Sequence, residues 1–82
     1  MTIDLRNIRE TIREIQEYLL DISYRNGEFS SVSIDGFYGK ETAEAVRGFQ
    51  RSVALPVTGT VDFETFNTLY RVYLDREQEK TE

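Results

Sequence analysis

Apolar residues recur at steps of three and four along three segments of this chain, the spacing of one face of an α-helix. The first stripe predicts a helix near the amino terminus, through Leu5, Ile8, Ile12, Ile15, Leu19 and Ile22. The second predicts a helix that follows Gly39, through Thr42, Ala45, Val46, Phe49, Gln50 and Val53. The third predicts a helix after Asp62, a good N-cap residue, through Phe66, Leu69, Tyr70, Val72 and Tyr73. The predicted fold class is therefore all-α, a compact three-helix domain.

Turn signals separate the three predicted helices. Residues 24–33 are predicted as loop because Asn26-Gly27 is a turn dipeptide. Asp35-Gly36 predicts a tight turn with Gly36 at positive φ. Residues 76–82 hold no apolar side chain, so we expect a flexible polar tail there and a folded domain over residues 1–75.

A repeat links the second and third helices. The segment "IDGFYGKETAEAV", residues 34–46, aligns with "VTGTVDFETFNTL", residues 57–69, at a constant offset of 23 residues. This predicts two pseudo-repeated glycine turn–helix units, related by a pseudo-twofold axis and closed by the first helix. The repeat predicts that Thr42 and Thr65 bond to free amides of the first helical turn. It also predicts that four apolar residues beside the turns point inward, namely Ile34, Tyr38, Val57 and Val61.

Composition excludes several classes of function. The 82 residues indicate one domain, and 10 basic against 15 acidic residues give a net charge of −5. An acidic chain is a poor partner for nucleic acid or anionic membranes. With no cysteine and no histidine, the chain lacks thiol chemistry and the commonest metal ligands, so we expect no metal, no cofactor and no enzymatic activity. The charged amino terminus does not resemble a signal peptide.

Three polar side chains, in the helices or at the first glycine turn, have two possible roles each. Gln50 lies on the apolar face of the second helix, where its amide either braces the glycine loops or contacts a ligand. Gln16 in the first helix has the same alternatives. Asp35 either caps its own turn or meets an amine or hydroxyl of a ligand.

Surface side chains that could contact a ligand are expected near the first glycine turn and on the second helix. Phe37 and Phe63 either form a surface patch that lies against a ligand or pack against the first helix. Arg47 and Arg51 on the outer side of the second helix either pair with ligand carboxylates or serve solubility. The candidate ligand-binding residues are Asp35, Phe37, Tyr38, Arg47, Gln50, Arg51 and Phe63.

The ordered motifs resemble the peptidoglycan-binding-like domain, a small three-helix module attached to many bacterial cell-wall hydrolases. The resemblance covers roughly residues 5 to 73, and Ile15-Gln16 matches its first helix. Ala54 departs from a position where the family often has glycine, and the chain has no tryptophan for sugar stacking. The matching positions of the two repeated units are Asp35, Gly36, Tyr38, Gly39, Thr42, Ala45, Val46, Phe49, Gln50, Leu55, Gly59, Thr65 and Leu69.

The resemblance implies a non-catalytic module that tethers an attached effector or hydrolase to the cell wall, outside the cytoplasm. Peptidoglycan and a hydrolase domain on a longer parent chain are the implied partners. The alternative is a protein–protein docking or propeptide-like domain with the same fold, since a fold does not define its ligand.

Overall fold

The computed structural model describes residues 5–26 and 32–80, with side chains described at 8–23 and 32–75. The described residues form three α-helices: α1 (Leu5–Asn26), α2 (Lys40–Ser52) and α3 (Phe63–Lys80). The all-α prediction is confirmed, and α2 and α3 begin directly after Gly39 and Asp62, as predicted. We call residues 32–39 loop 1 and residues 53–62 loop 2.

Two boundaries differ from the sequence pattern. The predicted start of a loop at residue 24 is wrong, because α1 continues to Asn26, the first residue of the Asn-Gly turn signal. At the other end, α3 runs to Lys80 and so enters the segment 76–82. Arg, Glu, Gln and Lys are good helix formers even without apolar neighbours. The flexibility of the tail stays a prediction, and residues 81–82 lie outside the described chain.

All three helices and loop 1 contribute to one hydrophobic core. Phe49 of α2 is 1% exposed, as its place on the stripe predicts. The stripe of α1 is buried from Ile15 onward, whereas Ile8 on the same stripe is 41% exposed. The described apolar core residues are Ile15, Leu19, Ile22, Val32, Ala45, Val46, Phe49 and Leu69.

Aromatic side chains join α1 to α3. The ring centroid of Tyr18 lies 6.5 Å from that of Phe66, 5.9 Å from that of Tyr70 and 4.5 Å from that of Tyr73. Burial, and then the neighbouring charge of Glu14, raises the pKa of Tyr18 to about 12. Tyr70 keeps much of its ring in contact with solvent, so this predicted core position lies at the edge of the core.

Helix α2 ends in a Schellman motif. The N–H of Leu55 donates to the carbonyl oxygen of Gln50 at 2.9 Å, and the N–H of Ala54 donates to that of Arg51 at 3.4 Å. The residue at the left-handed position is Ala54, with φ of 61°. Glycine is the usual residue there because a Cβ is strained at positive φ.

The apolar residues beside the turns do not all point inward. Ile34, Tyr38 and Val61 are half-buried, but Val57 is 46% exposed, so its prediction is wrong. The neighbouring Thr58 holds loop 2 instead, through its N–H and its hydroxyl. Val57 therefore has no need to be buried for the loop to be held.

Candidate functional site

Gln50 reaches from α2 into loop 2 and holds its backbone. Its Oε1 accepts the N–H groups of Thr58 and Gly59 at 2.9 and 3.0 Å. Its Nε2 lies 3.1 Å from each of three oxygens, the Thr60 carbonyl and the hydroxyls of Thr58 and Thr65. The amide is buried and its hydrogen bonds are satisfied within the chain. The hydrogen bonds therefore bear out the bracing role, and the buried amide offers little surface to a ligand.

Gln16 of α1 holds loop 1 through an equivalent set of bonds. Its Oε1 accepts the N–H groups of Asp35 and Gly36 at 3.0 and 2.9 Å. Its Nε2 lies 3.0 to 3.1 Å from Asp35 Oδ1, the Phe37 carbonyl oxygen and Thr42 Oγ1. Each loop partner of Gln16 stands 23 residues before the corresponding partner of Gln50. The repeat in the sequence is thus a repeat of hydrogen bonds.

The two repeated threonines serve the glutamines rather than the helix ends. Thr42 Oγ1 and Thr65 Oγ1 accept from the amide groups of Gln16 and Gln50, so the prediction that they cap amides is wrong. No side chain caps the start of α2 at Gly39. The start of α3 is capped by Asp62, whose Oδ1 accepts the N–H of Thr65 at 2.9 Å.

Arginine side chains cover both glycine turns. Gly36 and Gly59 have φ of 76° and 81°, as predicted for Gly36. A Cβ on Gly36 would lie 2.7 Å from Cγ of Arg9 and 3.1 Å from Cγ of Arg13. A Cβ on Gly59 would lie 2.9 Å from the guanidinium of Arg47. The positive φ favours glycine at both turns, and at Gly36 the Arg9 stem also leaves little room for a Cβ.

Tyr38 ties the two loops together. Its hydroxyl donates to the carbonyl oxygen of Gly59 at 2.6 Å, across 21 residues of sequence. Burial raises the pKa of Tyr38, and the charge of Arg47 opposes that rise. The phenol therefore remains a donor at neutral pH, and the chain uses that donor internally.

Asp35 caps its own turn, as expected. Its Oδ1 accepts the N–H of Phe37 at 2.9 Å, and Gln16 donates to the same oxygen. The backbone bond from Phe37, then the bond from Gln16 and the nearby Arg9, lower the pKa of the exposed carboxyl. Asp35 is thus a carboxylate at the surface of loop 1.

The candidate aromatic residues are both on the surface. Phe37 is 72% exposed and Phe63 is 84% exposed, which rules out the alternative that they pack against α1. A Cβ on Gly39 would lie 3.0 Å from the Phe37 ring, so Phe37 lies over the start of α2. Arg47 pairs with Glu44 at 2.9 Å, and Arg51 is exposed in the last turn of α2.

Arg9 and Arg13 were not among the candidate residues. For Arg13, the sequence holds a second repeat that indicates its position. The segment "ETIREIQ", residues 10–16, matches "EAVRGFQ", residues 44–50, at an offset of 34 residues. Both have Glu, then Arg three residues on, then Gln three residues further. Recognising this second repeat would have placed Arg13 over Gly36, as Arg47 lies over Gly59.

Other kinds of site find no support in the described residues. Among them, no group of three or more Asp and Glu side chains could hold a metal ion. In the same part of the chain, no helix is both long and apolar enough to span a bilayer. The candidate site is the surface of the two braced loops, where the candidates Asp35 and Phe37 are exposed.

Comparison with known proteins points to one family. No curated protein and no solved structure matches the chain. Residues 9–69 match the family described as "Putative peptidoglycan binding domain". The match covers both glutamines, both glycine loops, the whole of α2 and parts of α1 and α3. The chain belongs to this peptidoglycan-binding domain family.

Proposed function

We propose that this chain is a non-catalytic module that binds peptidoglycan and holds an attached effector or hydrolase on the cell wall. Family membership over residues 9–69 is the observation that carries the proposal. Holding an effector on an insoluble polymer raises its local concentration without any chemistry in the module itself. The described residues support a role in binding rather than catalysis, because their buried polar groups hold the loops in place.

The proposed binding surface consists of exposed side chains on the braced loops and the adjoining helix ends. Phe37 supplies an apolar face that can lie flat against a sugar ring or against the apolar part of a peptide. Fixing loop 1 with Gln16 and Asp35 lowers the entropy lost when a ligand binds. The proposed contacts are Asp35, Phe37, Arg47, Arg51 and Phe63, with Tyr38 contributing its exposed edge.

A sedimentation assay tests this function. Purified protein is mixed with insoluble peptidoglycan sacculi at low salt, and the sacculi are collected by centrifugation. We expect the protein to be retained, and Phe37→Ala to lower retention several-fold with an unchanged melting temperature, since the ring is exposed. Leu74→Ala, which removes an exposed apolar side chain from α3, is the matched control. Protein that stays wholly in the supernatant would contradict the proposal.

The second candidate is a protein–protein docking or propeptide-like domain. The net charge of −5 favours it, because wall polymers also carry negative charge and would repel an acidic module. Its signature would be a stable complex with a purified protein partner and no retention on sacculi. The sedimentation assay therefore separates the two functions.

A further inference from the structure

We call α1–loop 1–α2 unit 1 and α2–loop 2–α3 unit 2, since each loop is held by one buried glutamine. The two units provide an internal control, because they share a scaffold but differ at the surface. Positions that serve the scaffold are the same or nearly so in both units, which shows what the architecture itself requires. The shared pairs that form the matching hydrogen bonds and turns are Gln16 and Gln50, Gly36 and Gly59, and Thr42 and Thr65. The charged pairs Glu10–Arg13 and Glu44–Arg47 are also shared in sequence, but among the described residues only Glu44 and Arg47 form a salt bridge. A residue found in one unit alone is therefore not needed to hold a loop of this kind.

Unit 1 differs from unit 2 by gaining charged and aromatic groups. Arg9 stands where unit 2 has Ala43. Likewise, Asp35 and Phe37 replace two threonines of loop 2, Thr58 and Thr60. Arg9, Asp35 and Phe37 are all exposed. We call Arg9, Arg13, Asp35 and Phe37 the loop 1 corner.

The cations of the two units also differ in their partners. In unit 2, Arg47 is neutralised by Glu44 at 2.9 Å. In unit 1, Arg9 and Arg13 both lie against Gly36, and within the described residues neither forms a salt bridge. Like charges four residues apart on a helix disfavour one another. The nearby charge of Arg9 helps to lower the pKa of Asp35, so Asp35 offsets part of the positive charge beside Gly36.

We propose that the loop 1 corner binds a free carboxylate of the peptide part of peptidoglycan, with Arg9 and Arg13 as the cationic contacts. A guanidinium binds carboxylate through charge-assisted hydrogen bonds. Phe37 in the same loop covers the apolar surface next to that carboxylate. This inference rests on the proposed function and deepens it, since it names the peptide rather than the sugar as the group that this corner recognises.

The test compares three soluble probes by titration calorimetry at low salt. The probes are a synthetic stem peptide with a free carboxyl terminus, the same peptide amidated, and a glycan oligomer without peptide. We expect the free-acid peptide to bind at least tenfold more tightly than the amidated peptide, because amidation removes a charge-assisted contact. Added salt should weaken the binding of the free-acid peptide selectively.

Variants give a second readout. The double variant Arg9→Gln, Arg13→Gln should lose about tenfold in affinity for the free-acid peptide, with unchanged affinity for the amidated peptide. Arg71→Gln, a change at an exposed arginine of α3, is the matched control and should bind like the wild type. The amidation comparison needs no mutation, so it remains decisive even if the double variant is unstable.

The outcomes separate this inference from the proposed function. If the wild-type protein is retained on sacculi but binds both peptides equally, the loop 1 corner does not recognise a carboxylate. The proposed function would still stand. If the free-acid peptide binds in a way that depends on the two arginines but the protein is not retained on sacculi, the loop 1 corner stands and the proposed function is overturned. Wild-type protein that binds neither sacculi nor peptide would overturn both.

Discussion

At the scale of single residues, two buried glutamines supply the hydrogen-bond partners that the backbone of the glycine turns lacks. A tight turn leaves N–H and carbonyl groups without partners, and burying such groups unpaired is costly. One primary amide offers both an acceptor and donors, so each glutamine satisfies both sides of its loop. The chain therefore tolerates Gln16 and Gln50 among apolar side chains because each completes a local network.

Replacing Gln50 with leucine should destabilise the protein severely. The change keeps the size of the side chain but leaves the N–H groups of Thr58 and Gly59 without their acceptor. We expect the free energy of unfolding to fall by about 3 kcal/mol or more, since each unpaired buried group costs ~1–3 kcal/mol. Urea denaturation measures this, with Asn67→Leu as the exposed control. A loss of less than about 1 kcal/mol would show that water can replace the amide.

Acid should weaken the fold through the two capping aspartates. The pKa of Asp35 and of Asp62 is lowered in the folded state, chiefly by the backbone N–H bonds of Phe37 and Thr65. The stabilisation is therefore complete above the ordinary value of 3.8 and is lost as pH falls through the lower folded pKa. Melting temperatures between neutral pH and about pH 2 should record the loss.

The variant Asp35→Asn, Asp62→Asn is the control for this acid effect. Asparagine keeps the acceptor oxygen but does not titrate in this range. The melting temperature of the variant should therefore depend less steeply on pH than that of the wild type. Equal steepness would assign the acid sensitivity to other carboxylates.

At the scale of elements, α2 is the helix that connects to both loops and to the core. Its side chains Val46 and Phe49 enter the core, Gln50 holds loop 2, and its start follows loop 1. The units α1–loop 1–α2 and α2–loop 2–α3 therefore overlap in α2, rather than standing as two separate turn–helix pieces. The matching hydrogen bonds relate the two units in the same order along the chain, and the pseudo-twofold axis stays a prediction.

The end of α2 offers a stabilising change. Ala54 occupies the left-handed position of the Schellman motif, where its Cβ is strained. Ala54→Gly should relieve this strain and raise the free energy of unfolding by roughly 0.5–1 kcal/mol, after the greater freedom of glycine in the unfolded chain is subtracted. Chemical denaturation checks the sign. Ala43→Gly, inside α2, is the opposite control and should destabilise by about 1 kcal/mol.

At the scale of the whole molecule, the core and the exposed surface have separate tasks. The core is small, as expected for 82 residues, so a single large side chain contributes much of the stability. Among the proposed contacts for peptidoglycan, Phe37, Arg51 and Phe63 are exposed and lie outside it, whereas Tyr38 packs against it. Binding and folding should therefore respond to different mutations.

Phe49→Ala tests the contribution of the core. Phe49 is buried at the junction of the helices, and its truncation should cost about 3–5 kcal/mol, a large part of the stability of a small domain. Circular dichroism should show an unfolded or strongly destabilised chain. The exposed change Val57→Ala should have little effect on the melting temperature. A stable Phe49→Ala variant would contradict the described core.

Much of the fold could be predicted because its signals are local. Helix spacing, the N-cap Asp62 and the glycine turns follow from residues close together in the chain. The role of Gln50 stayed open between bracing and ligand contact until its hydrogen bonds to loop 2 were known. The solvent exposure of Ile8, Val57 and Tyr70 could not be predicted from the sequence, because it depends on how far neighbouring elements cover each side chain. The same reason explains why the solvent exposure of Phe37 stayed undecided until the fold was known.

The sequence by itself determined the helices, the turns and the repeat, because backbone preferences and apolar spacing act over a few residues. Only the tertiary structure decided which side chains meet across long stretches of chain. It brought Arg9 and Arg13 of α1 onto Gly36 and the hydroxyl of Tyr38 onto Gly59. Such contacts depend on how the helices pack, and the proposed recognition of a peptide carboxylate rests on them.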